Sequence, residues 1–275
     1  MTRYHDQALR RLIKPFFPHY LLDIYYDLRV CLSNSKASFD IIRYFHKDIV
    51  NYLKFFISEG RDPFPGLAAL LATISRSHII TDISDHMIPI LTRSVIRKPQ
   101  LIIELGVRGG ESTFVLERVA RLLDAVLVSV DLEDCSQVST YWKRHFIRQD
   151  DLAFAEEFPR WCATLGIKPQ IDILLIDSSH LFDHTRQEIR CYFPLLAEAA
   201  TVFLHDTNLK ETVVRRDGTT DLGWDNQRGV IKALEEYFEQ RFLENQPFEA
   251  FHYPFLITHY RYCFGLTILE KRLTR

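Results

Sequence analysis

Residues 104–113 have the sequence ELGVRGGEST. A short apolar run at residues 100–105 leads into them, and an amphipathic run at residues 112–123 follows. This order predicts a strand, a glycine-containing turn and a helix, which together form the first step of a parallel α/β sheet. Ligands of such sheets lie beyond the carboxyl ends of the strands, so the turn is predicted to contact a ligand.

The alternation of short apolar runs and amphipathic runs continues to the C-terminus. Further strands are predicted over residues 125–130, 145–148, 171–176 and 201–204, and helices over 151–165, 182–197 and 228–242. The last two predicted strands, 251–258 and 262–269, are separated by only three residues. Because a crossover needs a longer connection, this pair is predicted to be antiparallel. The pattern predicts an α/β fold with a doubly wound, mostly parallel seven-stranded sheet and a C-terminal antiparallel strand pair.

The chain before residue 97 has a helical pattern. Apolar residues recur at spacings of three and four between Ile41 and Phe56, which predicts a helix that Ser38 caps and Gly60 ends. Two more helices are predicted over residues 67–77 and 84–95.

This change of pattern suggests two domains. Residues 1–96 are predicted to be a helical extension and residues 97–275 a ligand-binding sheet domain. We expect the extension to pack on the sheet domain or to form a homo-oligomer. A role in covering a substrate is the alternative.

Composition excludes several classes of partner. The chain has 34 Lys and Arg against 36 Asp and Glu, so it lacks the basic balance of nucleic-acid-binding proteins. Residues 1–14 are polar and have no signal-peptide core, and the apolar run 67–74 is too short to cross a bilayer. The five cysteines include no CxxC pair. We therefore expect a cytoplasmic protein with no nucleic-acid or membrane partner.

The glycine turn can be compared with two nucleotide-binding patterns. It has Arg108 where the dinucleotide fingerprint GxGxxG requires its second glycine, and no GKS or GKT follows, so it is not a P-loop. Asp131 follows the second strand, 25 residues after Gly106. An acid there can accept hydrogen bonds from ribose hydroxyls. Asp150 follows the third strand and is placed to meet an adenine amine.

Acidic and histidine side chains follow the fourth and fifth strands, which end in Asp177-Ser-Ser-His180 and in His205-Asp206. Both ends are predicted to lie at the same sheet edge as the glycine turn. His180 suits a general base, because its pKa is close to the working pH. Asp177 and Asp206 could hold a hard cation such as Mg²⁺. His205 would suit a softer divalent metal, or would be a polar contact with no metal.

The motifs ELGVRGGEST, VSVDLED, IDILLIDSSH and VFLHDTN, in this order, resemble those of the class I S-adenosylmethionine-dependent methyltransferases. More narrowly, they are similar to the small-molecule O-methyltransferases related to the sugar and macrolide-glycoside enzymes, and to proteins labelled cephalosporin hydroxylase. The resemblance covers residues 97–270, and the N-terminal helices carry no matching motif.

The resemblance implies roles for individual residues. The glycine turn would line the methionine part of S-adenosylmethionine, Ser112 would lie near its carboxylate, and Asp131 would bind the ribose. The full expected set is Glu104, Gly106, Arg108, Gly109, Gly110, Ser112, Asp131, Asp150 and Asp177. In the relatives, the aspartate of a DxxH motif and a following acidic pair bind a metal, and the histidine is the base. Asp177 and His180 match that motif, whereas His205-Asp206 replaces the acidic pair.

These observations predict methyl transfer to a hydroxyl of a small molecule, such as a sugar or a glycosylated metabolite. His180 and Asp177 are the expected catalytic residues. The long polar loop over residues 209–227 contains Trp224, which would either stack on the acceptor or anchor the loop. The alternatives are a module that binds the cofactor without catalysis and, less favoured by the glycine turn, a nicotinamide-dependent oxidoreductase.

Overall fold

The computed structural model describes residues 19–272, so the predictions made for residues 1–14 lie outside the described residues. The chain divides into two compact units between Ile80 and Thr81. The sequence pattern placed this division after residue 96. The difference arises because the helix Met87–Ile96 packs on the helix Glu111–Leu123 and therefore belongs to the sheet unit.

The first unit contains four helices among its described residues: α1 (His19–Ser33), α2 (Ser35–Tyr44), α3 (His46–Ser58) and α4 (Pro63–Ser77). The single helix predicted after Ser38 is thus two helices that meet at Phe45. Ser38 is not a cap, because it lies one turn inside α2, where its hydroxyl donates to the carbonyl of Cys31. Gly60 follows α3 with a positive φ, as predicted.

The second unit is built on one large sheet. Its elements in chain order are α5 (Met87–Ile96), β1 (Leu101–Leu105), α6 (Glu111–Leu123), β2 (Val126–Asp131), β3 (Arg144–Arg148), α7 (Asp151–Thr164), β4 (Ile171–Ile176), α8 (Phe182–Tyr192), β5 (Leu196–His205), β6 (Thr212–Val214), β7 (Thr220–Leu222), α9 (Gly229–Phe238), β8 (Phe248–His252), β9 (Phe255–Tyr260) and β10 (Leu266–Lys271). The large sheet has the strand order β3-β2-β1-β4-β5-β10-β9-β8, and β6 pairs with β7 in a separate hairpin.

This topology confirms the predicted doubly wound sheet. Strands β3, β2, β1, β4 and β5 are parallel, β10 runs antiparallel to β5, and β9 runs antiparallel to β10. The sheet has eight strands rather than seven, because the strand predicted over 251–258 is two strands that turn at Tyr253-Pro254. A proline cannot donate a ladder hydrogen bond, which explains the break.

Two predicted helices end earlier than expected. Helix α8 ends at Tyr192, and β5 already begins at Leu196, because Pro194 cannot continue a helix. Helix α9 ends at Phe238 rather than at residue 242. The loop over 209–227 is also more ordered than predicted, since it contains the β6–β7 hairpin.

The central strands of the sheet are buried, and the site lies at one edge of the sheet. Every residue of β1 is buried, as are all but one of β4, which is typical of central parallel strands covered on both faces. Because β1, β2, β4 and β5 are parallel, their carboxyl ends meet at one edge. No helix in the described part of the chain is both long enough and apolar enough to cross a bilayer.

Candidate active site

The turn between β1 and α6 lies directly against the end of β4. Gly106 has a φ of +85°, and a Cβ atom there would be 2.2 Å from the carbonyl oxygen of Asp177. Gly110 precedes α6 with a φ of +82°, and its Cβ would be 2.7 Å from Val138. Nothing lies within 4 Å of a Cβ placed on Gly109. The backbone conformation and the close contacts therefore require glycine at positions 106 and 110, but not at position 109.

Glu104 connects β1 to the start of α6 and to β2 through hydrogen bonds of its side chain. Its side chain is fully buried and accepts hydrogen bonds from the hydroxyls of Ser112 (2.6 Å), Thr113 (2.9 Å) and Ser129 (2.6 Å). Burial raises the pKa of this carboxyl, and the three hydroxyls oppose that rise. Ser112 reaches the wall of a cavity, but Glu104 does not line either of the cavities described below.

Asp131, at the end of β2, fixes the turn from the side. Its Oδ2 accepts from the backbone N–H groups of Val107 (2.7 Å) and Arg108 (3.1 Å), and its Oδ1 accepts from Glu133 N–H (2.9 Å). A carboxylate has about four lone-pair sites, so Asp131 keeps acceptor capacity for a ligand hydroxyl. The Arg108 guanidinium pairs with Asp82 at 2.5 Å.

Two neighbouring cavities open beside this turn. The larger has a volume of about 300 Å³ and is lined by Thr81, Asp82, Ile83, Gly106, Val107, Arg108, Gly109, Glu111, Ser112 and Asp177. The smaller has about 210 Å³ and is lined by Gly106, Arg108, Val130, Asp131, Leu132, Gln149, Asp150, Asp151, Asp177, Ser178, Ser179 and His184. Because they share Gly106, Arg108 and Asp177, one elongated ligand can occupy both.

Asp150 has a structural role as well as a place in the smaller cavity. Its Oδ1 accepts from the backbone N–H groups of Leu152 and Ala153, each at 3.0 Å, and so caps helix α7.

The ends of β4 and β5 bring together the His–Asp cluster, which we define as His86, Asp177, His180, His205 and Asp206. Nδ1 of His205 donates to Asp177 Oδ1 at 3.0 Å and lies 3.0 Å from Asp206 Oδ1. Nδ1 of His180 lies 3.0 Å from Asp206 Oδ2. The sheet therefore unites the four strand-end residues that the sequence singled out.

The backbone and the charges of this cluster are unusual. His180 and Asp206 have φ values of +60° and +58°, a left-handed conformation that is uncommon outside glycine and often found at functional sites. Burial lowers the pKa of His180, but the hydrogen bond and charge of Asp206, with the charge of Asp177, raise it above its usual value. Burial raises the pKa of Asp206, yet the neighbouring His205 and His180 hold it well below its usual range.

His86 belongs to the cluster, although the sequence pattern does not single it out. It ends the 3-10 turn Ser84–His86 that precedes α5, and it is buried. Its Nδ1 lies 3.2 Å from His205 Nε2, and its Nε2 lies 3.0 Å from the carbonyl oxygen of Tyr262. A single histidine in a predicted helix gives no signal of this kind, because its partner His205 is 119 residues away.

A second group of titratable residues, which the sequence pattern does not single out, lies at the smaller cavity. Nε2 of His184 lies 2.9 Å from Asp151 Oδ1, and the Ser178 hydroxyl donates to Glu188 at 2.6 Å. Glu188 is fully buried, and burial together with the charge of Asp151 raises its pKa to about 8. Glu188 is therefore uncharged at neutral pH.

This assignment predicts a pH-dependent stability. The pKa of Glu188 is about 8 in the folded protein, against an ordinary value of 4.5. Between pH 4.5 and pH 8 the folded state therefore binds a proton that the unfolded state releases. The free energy of unfolding falls as the pH rises through this range. A Glu188→Gln variant stays uncharged. Its melting temperature should fall less over this range than that of the wild type, by roughly 10 °C in a thermal unfolding scan. The exposed Glu156→Gln variant should follow the wild type, and an equally steep fall in Glu188→Gln would contradict the assignment.

We tested the predicted metal site against the hydrogen bonds of the cluster. Asp177, His180 and Asp206 each offer one ligand atom, all within 4.8 Å of one another, so the spacing alone would suit an ion. However, three of the four carboxylate oxygens lie 3.0 Å from an imidazole nitrogen. Mg²⁺ requires near-octahedral coordination by oxygen. The residues therefore do not fit Mg²⁺ as they are arranged, and both nitrogens of His205 face protein groups rather than an ion.

Comparison with known proteins gave one family match. Residues 103–207 match a family model described as a methyltransferase domain. A search of curated proteins by sequence gave no match.

Several solved structures are similar at low identity. The S-adenosylhomocysteine-bound methyltransferase PaMTH1 of Podospora anserina is 12% identical, with a TM-score of 0.49 over 74% of this chain and 88% of that one. CalS11, a TDP-rhamnose 3'-O-methyltransferase of calicheamicin biosynthesis, is 15% identical, with a TM-score of 0.41 over 67% and 78%. MycE of the mycinamycin pathway, solved with Mg, S-adenosylhomocysteine and mycinamycin VI, is 19% identical, with a TM-score of 0.39 over 63% and 45%. These likenesses concern the fold at most.

The family match starts in β1 and ends just after β5, so it covers the glycine turn and both strand ends of the His–Asp cluster. It spans the motifs on which the resemblance was based. Residues 103–207 are therefore similar to a methyltransferase domain, and the predicted resemblance to the class I S-adenosylmethionine-dependent methyltransferases is confirmed.

Proposed function

We propose that this chain transfers the methyl group of S-adenosylmethionine to a hydroxyl of a small molecule. The observation that carries the proposal is the pair of cavities that meet at Gly106, Arg108 and Asp177. Asp131, the ribose-binding candidate, lines the smaller cavity, and Asp177 belongs to the His–Asp cluster that contains the base candidate His180. A donor held there would have its reactive centre at Asp177, which contacts the rest of the His–Asp cluster through His205.

The two cavities differ in a way that suits the two halves of the donor. The larger is bordered by the first residues of α6, and the N-terminus of a helix favours a carboxylate such as that of methionine. The smaller contains Asp131 and Asp150, which are acceptors for ribose hydroxyls and for an adenine amine. The shared wall at Asp177 would face the positive sulfonium, which a carboxylate stabilises.

His180 is oriented to accept a proton. Its Nδ1 faces Asp206 Oδ2 at 3.0 Å, and a carboxylate only accepts, so the hydrogen of a neutral His180 lies on Nδ1. Nε2 is then the basic nitrogen. Asp206 fixes this tautomer and stabilises the imidazolium that forms, as the aspartate does in a Ser-His-Asp triad.

The chemical step is a displacement. When bound, S-adenosylmethionine supplies a methyl group on a sulfonium, and the C–S bond breaks as the acceptor oxygen bonds to carbon. His180 Nε2 takes the hydroxyl proton, which lowers the cost of attack by an otherwise weak nucleophile. Asp177 and the glycine turn would hold the donor in line with the acceptor.

Trp224 is our candidate for acceptor contact. Its ring centroid lies 6.2 Å from that of His180, and its side chain is 45% exposed. The loop that carries it is held at the site by Asn226, whose amide donates to the carbonyls of His180 and Asp206, each at 3.3 Å. An exposed, anchored indole beside the base can stack on the face of a sugar or an aromatic ring.

A ligand screen tests the proposal. Thermal shift with S-adenosylmethionine, S-adenosylhomocysteine and NAD should show stabilisation by the first two and none by NAD, because only ligands of the folded state raise the melting temperature. Release of S-adenosylhomocysteine with a panel of sugars, glycosides and phenols should then identify the acceptor class. Stabilisation by NAD alone would favour an oxidoreductase, and donor binding without product would favour a non-catalytic module.

Asp131 gives a specific prediction for donor binding. An Asp131→Ala variant loses the ribose acceptor and the clamp on Val107 N–H and Arg108 N–H. Since a hydrogen bond to a charged group contributes about 1.5–3 kcal/mol, donor affinity measured by calorimetry should fall roughly 10- to 100-fold. Glu133→Ala is the matched control, because Glu133 meets Asp131 only through its backbone N–H. Equal loss in both variants would remove Asp131 from the proposed site.

A further inference from the structure

An ion pair lies on the wall of the larger cavity. The guanidinium of Arg108, in the glycine turn, lies 2.5 Å from Asp82 Oδ2, and both residues line that cavity. Their side chains are 77% and 35% exposed, so both can meet a ligand that enters from solvent. Because an exposed ion pair contributes little to stability, each partner can exchange the other for a charged group of a ligand at little cost.

The backbone of Asp82 is held in place by two buried side chains. Its carbonyl oxygen accepts a hydrogen bond from the thiol of Cys263 at 3.0 Å. The carbonyl oxygen of the preceding residue, Thr81, accepts from the guanidinium of Arg215 at 2.9 Å. Cys263 and Arg215 are both buried. The carboxylate of Asp82 is therefore presented to the cavity from a fixed segment.

Arg108 has a backbone conformation that does not by itself explain the presence of an arginine. Its φ is +47°, and its backbone N–H donates to Asp131 at 3.1 Å. Glycine adopts this left-handed conformation without strain, whereas other residues adopt it rarely and often at functional sites. We therefore look to the guanidinium for the reason that an arginine occupies this position.

The charges around the larger cavity favour a particular kind of ligand. Among the described residues that line it, the carboxylates are those of Asp82, Glu111 and Asp177, against the single guanidinium of Arg108. This excess of negative charge repels a polyphosphate and attracts a ligand that carries an ammonium or a sulfonium. The guanidinium and the start of α6 together offer a place for one carboxylate.

We propose that Asp82 and Arg108 separate when the donor binds and hold its amino-acid end, with the carboxylate on Arg108 and the ammonium on Asp82. This inference rests on the proposed function and adds the groups that recognise the zwitterion. In an α-amino acid, one carbon atom carries both charged groups, so the two residues that receive them must be neighbours. Asp82 and Arg108 meet this requirement because their charged groups are already in contact.

Glu111 is the alternative partner for the ammonium, because it lines the same cavity. It belongs to the first turn of α6, where the helix dipole stabilises a carboxylate without any ligand. Asp82 is favoured because its carboxylate lies beside the guanidinium that would receive the carboxylate of the donor.

Asp82 also lies outside the residues that match the methyltransferase family model, which begin at residue 103. The segment before the matched domain would thus supply one half of the recognition of the amino acid, and the glycine turn would supply the other half. An adenosine ligand without an amino-acid end, such as 5′-methylthioadenosine, would gain nothing from either residue.

Calorimetry with four ligands tests the inference. They are S-adenosylhomocysteine, its analogue without the carboxylate, its analogue without the ammonium, and 5′-methylthioadenosine. The wild type should bind S-adenosylhomocysteine about 10- to 100-fold more tightly than either of the two analogues, because each lacks one charge-assisted contact. This comparison uses only the wild type, so it does not depend on the folding of any variant.

Two variants assign the preferences to individual residues. Arg108→Ala should bind S-adenosylhomocysteine and the analogue without the carboxylate equally well. Asp82→Ala should bind S-adenosylhomocysteine and the analogue without the ammonium equally well. 5′-Methylthioadenosine should bind to both variants as it binds to the wild type, which would show that the rest of the donor site is intact.

The ion pair of Glu117 and Arg121 on α6 provides the matched control, because its charged groups are 2.6 Å apart and it lines neither cavity. Glu117→Ala and Arg121→Ala should keep the preferences of the wild type. Unchanged preferences in Arg108→Ala and Asp82→Ala would overturn the proposal. A loss of the ammonium preference in Glu111→Gln but not in Asp82→Ala would overturn the role of Asp82.

The same titrations distinguish a failure of this inference from a failure of the proposed function. A wild type that binds S-adenosylhomocysteine no more tightly than 5′-methylthioadenosine would keep the donor site and overturn the role of the ion pair. A wild type that binds neither ligand would refute the proposed function, and this inference with it.

Discussion

A His180→Ala variant should bind S-adenosylmethionine as tightly as the wild type, yet methylate any acceptor about 10²- to 10⁴-fold more slowly. The base is lost, while the glycine turn and Asp131 are unchanged, because His180 meets Asp206 and not the turn. Calorimetry and the rate of S-adenosylhomocysteine release measure the two quantities separately. His46→Ala, at an exposed position in the helical unit, is the control that should leave both unchanged.

The pH profile of the wild type gives a second readout of the same residue. Burial lowers the pKa of His180, but Asp206 and Asp177 raise it above the ordinary value for histidine. At a pH below this raised pKa, His180 is protonated and cannot act as a base. The rate should therefore rise with pH through that value. An Asp206→Asn substitution should move this limb to lower pH. Full activity of His180→Ala, or an unmoved limb in Asp206→Asn, would exclude His180 as the base.

A Gly106→Ala variant should lose at least 100-fold in donor affinity and also lose stability. The new Cβ would be 2.2 Å from the Asp177 carbonyl oxygen, and the φ of +85° is unfavourable for alanine. The turn and the end of β4 would have to separate, which would deform the wall that the two cavities share.

Gly109→Ala is a matched test in the same turn. No atom of the chain lies within 4 Å of its added Cβ, and its φ is not positive, so stability should remain close to that of the wild type. Donor affinity should fall less than in Gly106→Ala, because Gly109 lines only the larger cavity and does not contact β4. Thermal unfolding and calorimetry compare the two variants. If both bind the donor like the wild type, the close approach of the turn to β4 has no role in binding.

Much of the sheet could be predicted because local pattern and burial agree in it. Residues 101–105 and 171–176 are apolar at nearly every position, and both are central strands. Two of the errors fall where proline ends an element, at Pro194 and Pro254, and both prolines are visible in the sequence. The split of the predicted helix at Phe45 and the early end of α9 at Phe238 have no such signal.

The site was predictable only in part. Strand order brings the ends of β1, β2, β4 and β5 together, so Asp131, Asp177, His180 and Asp206 were expected neighbours. The contacts of Glu104 were not, since they depend on hydroxyls of α6 and β2 that meet it only in the folded chain. His86 could not be found from local pattern either, because it meets His205 only through tertiary packing.

A crystal structure of the chain with S-adenosylhomocysteine is the most direct test of the central claim. We expect the ribose hydroxyls to contact Asp131, the amino-acid carboxylate to lie at the start of α6, and the sulfur to lie on the side of Asp177 that faces His180. Density for the ligand at another place, or a ribose with no contact to Asp131, would contradict it.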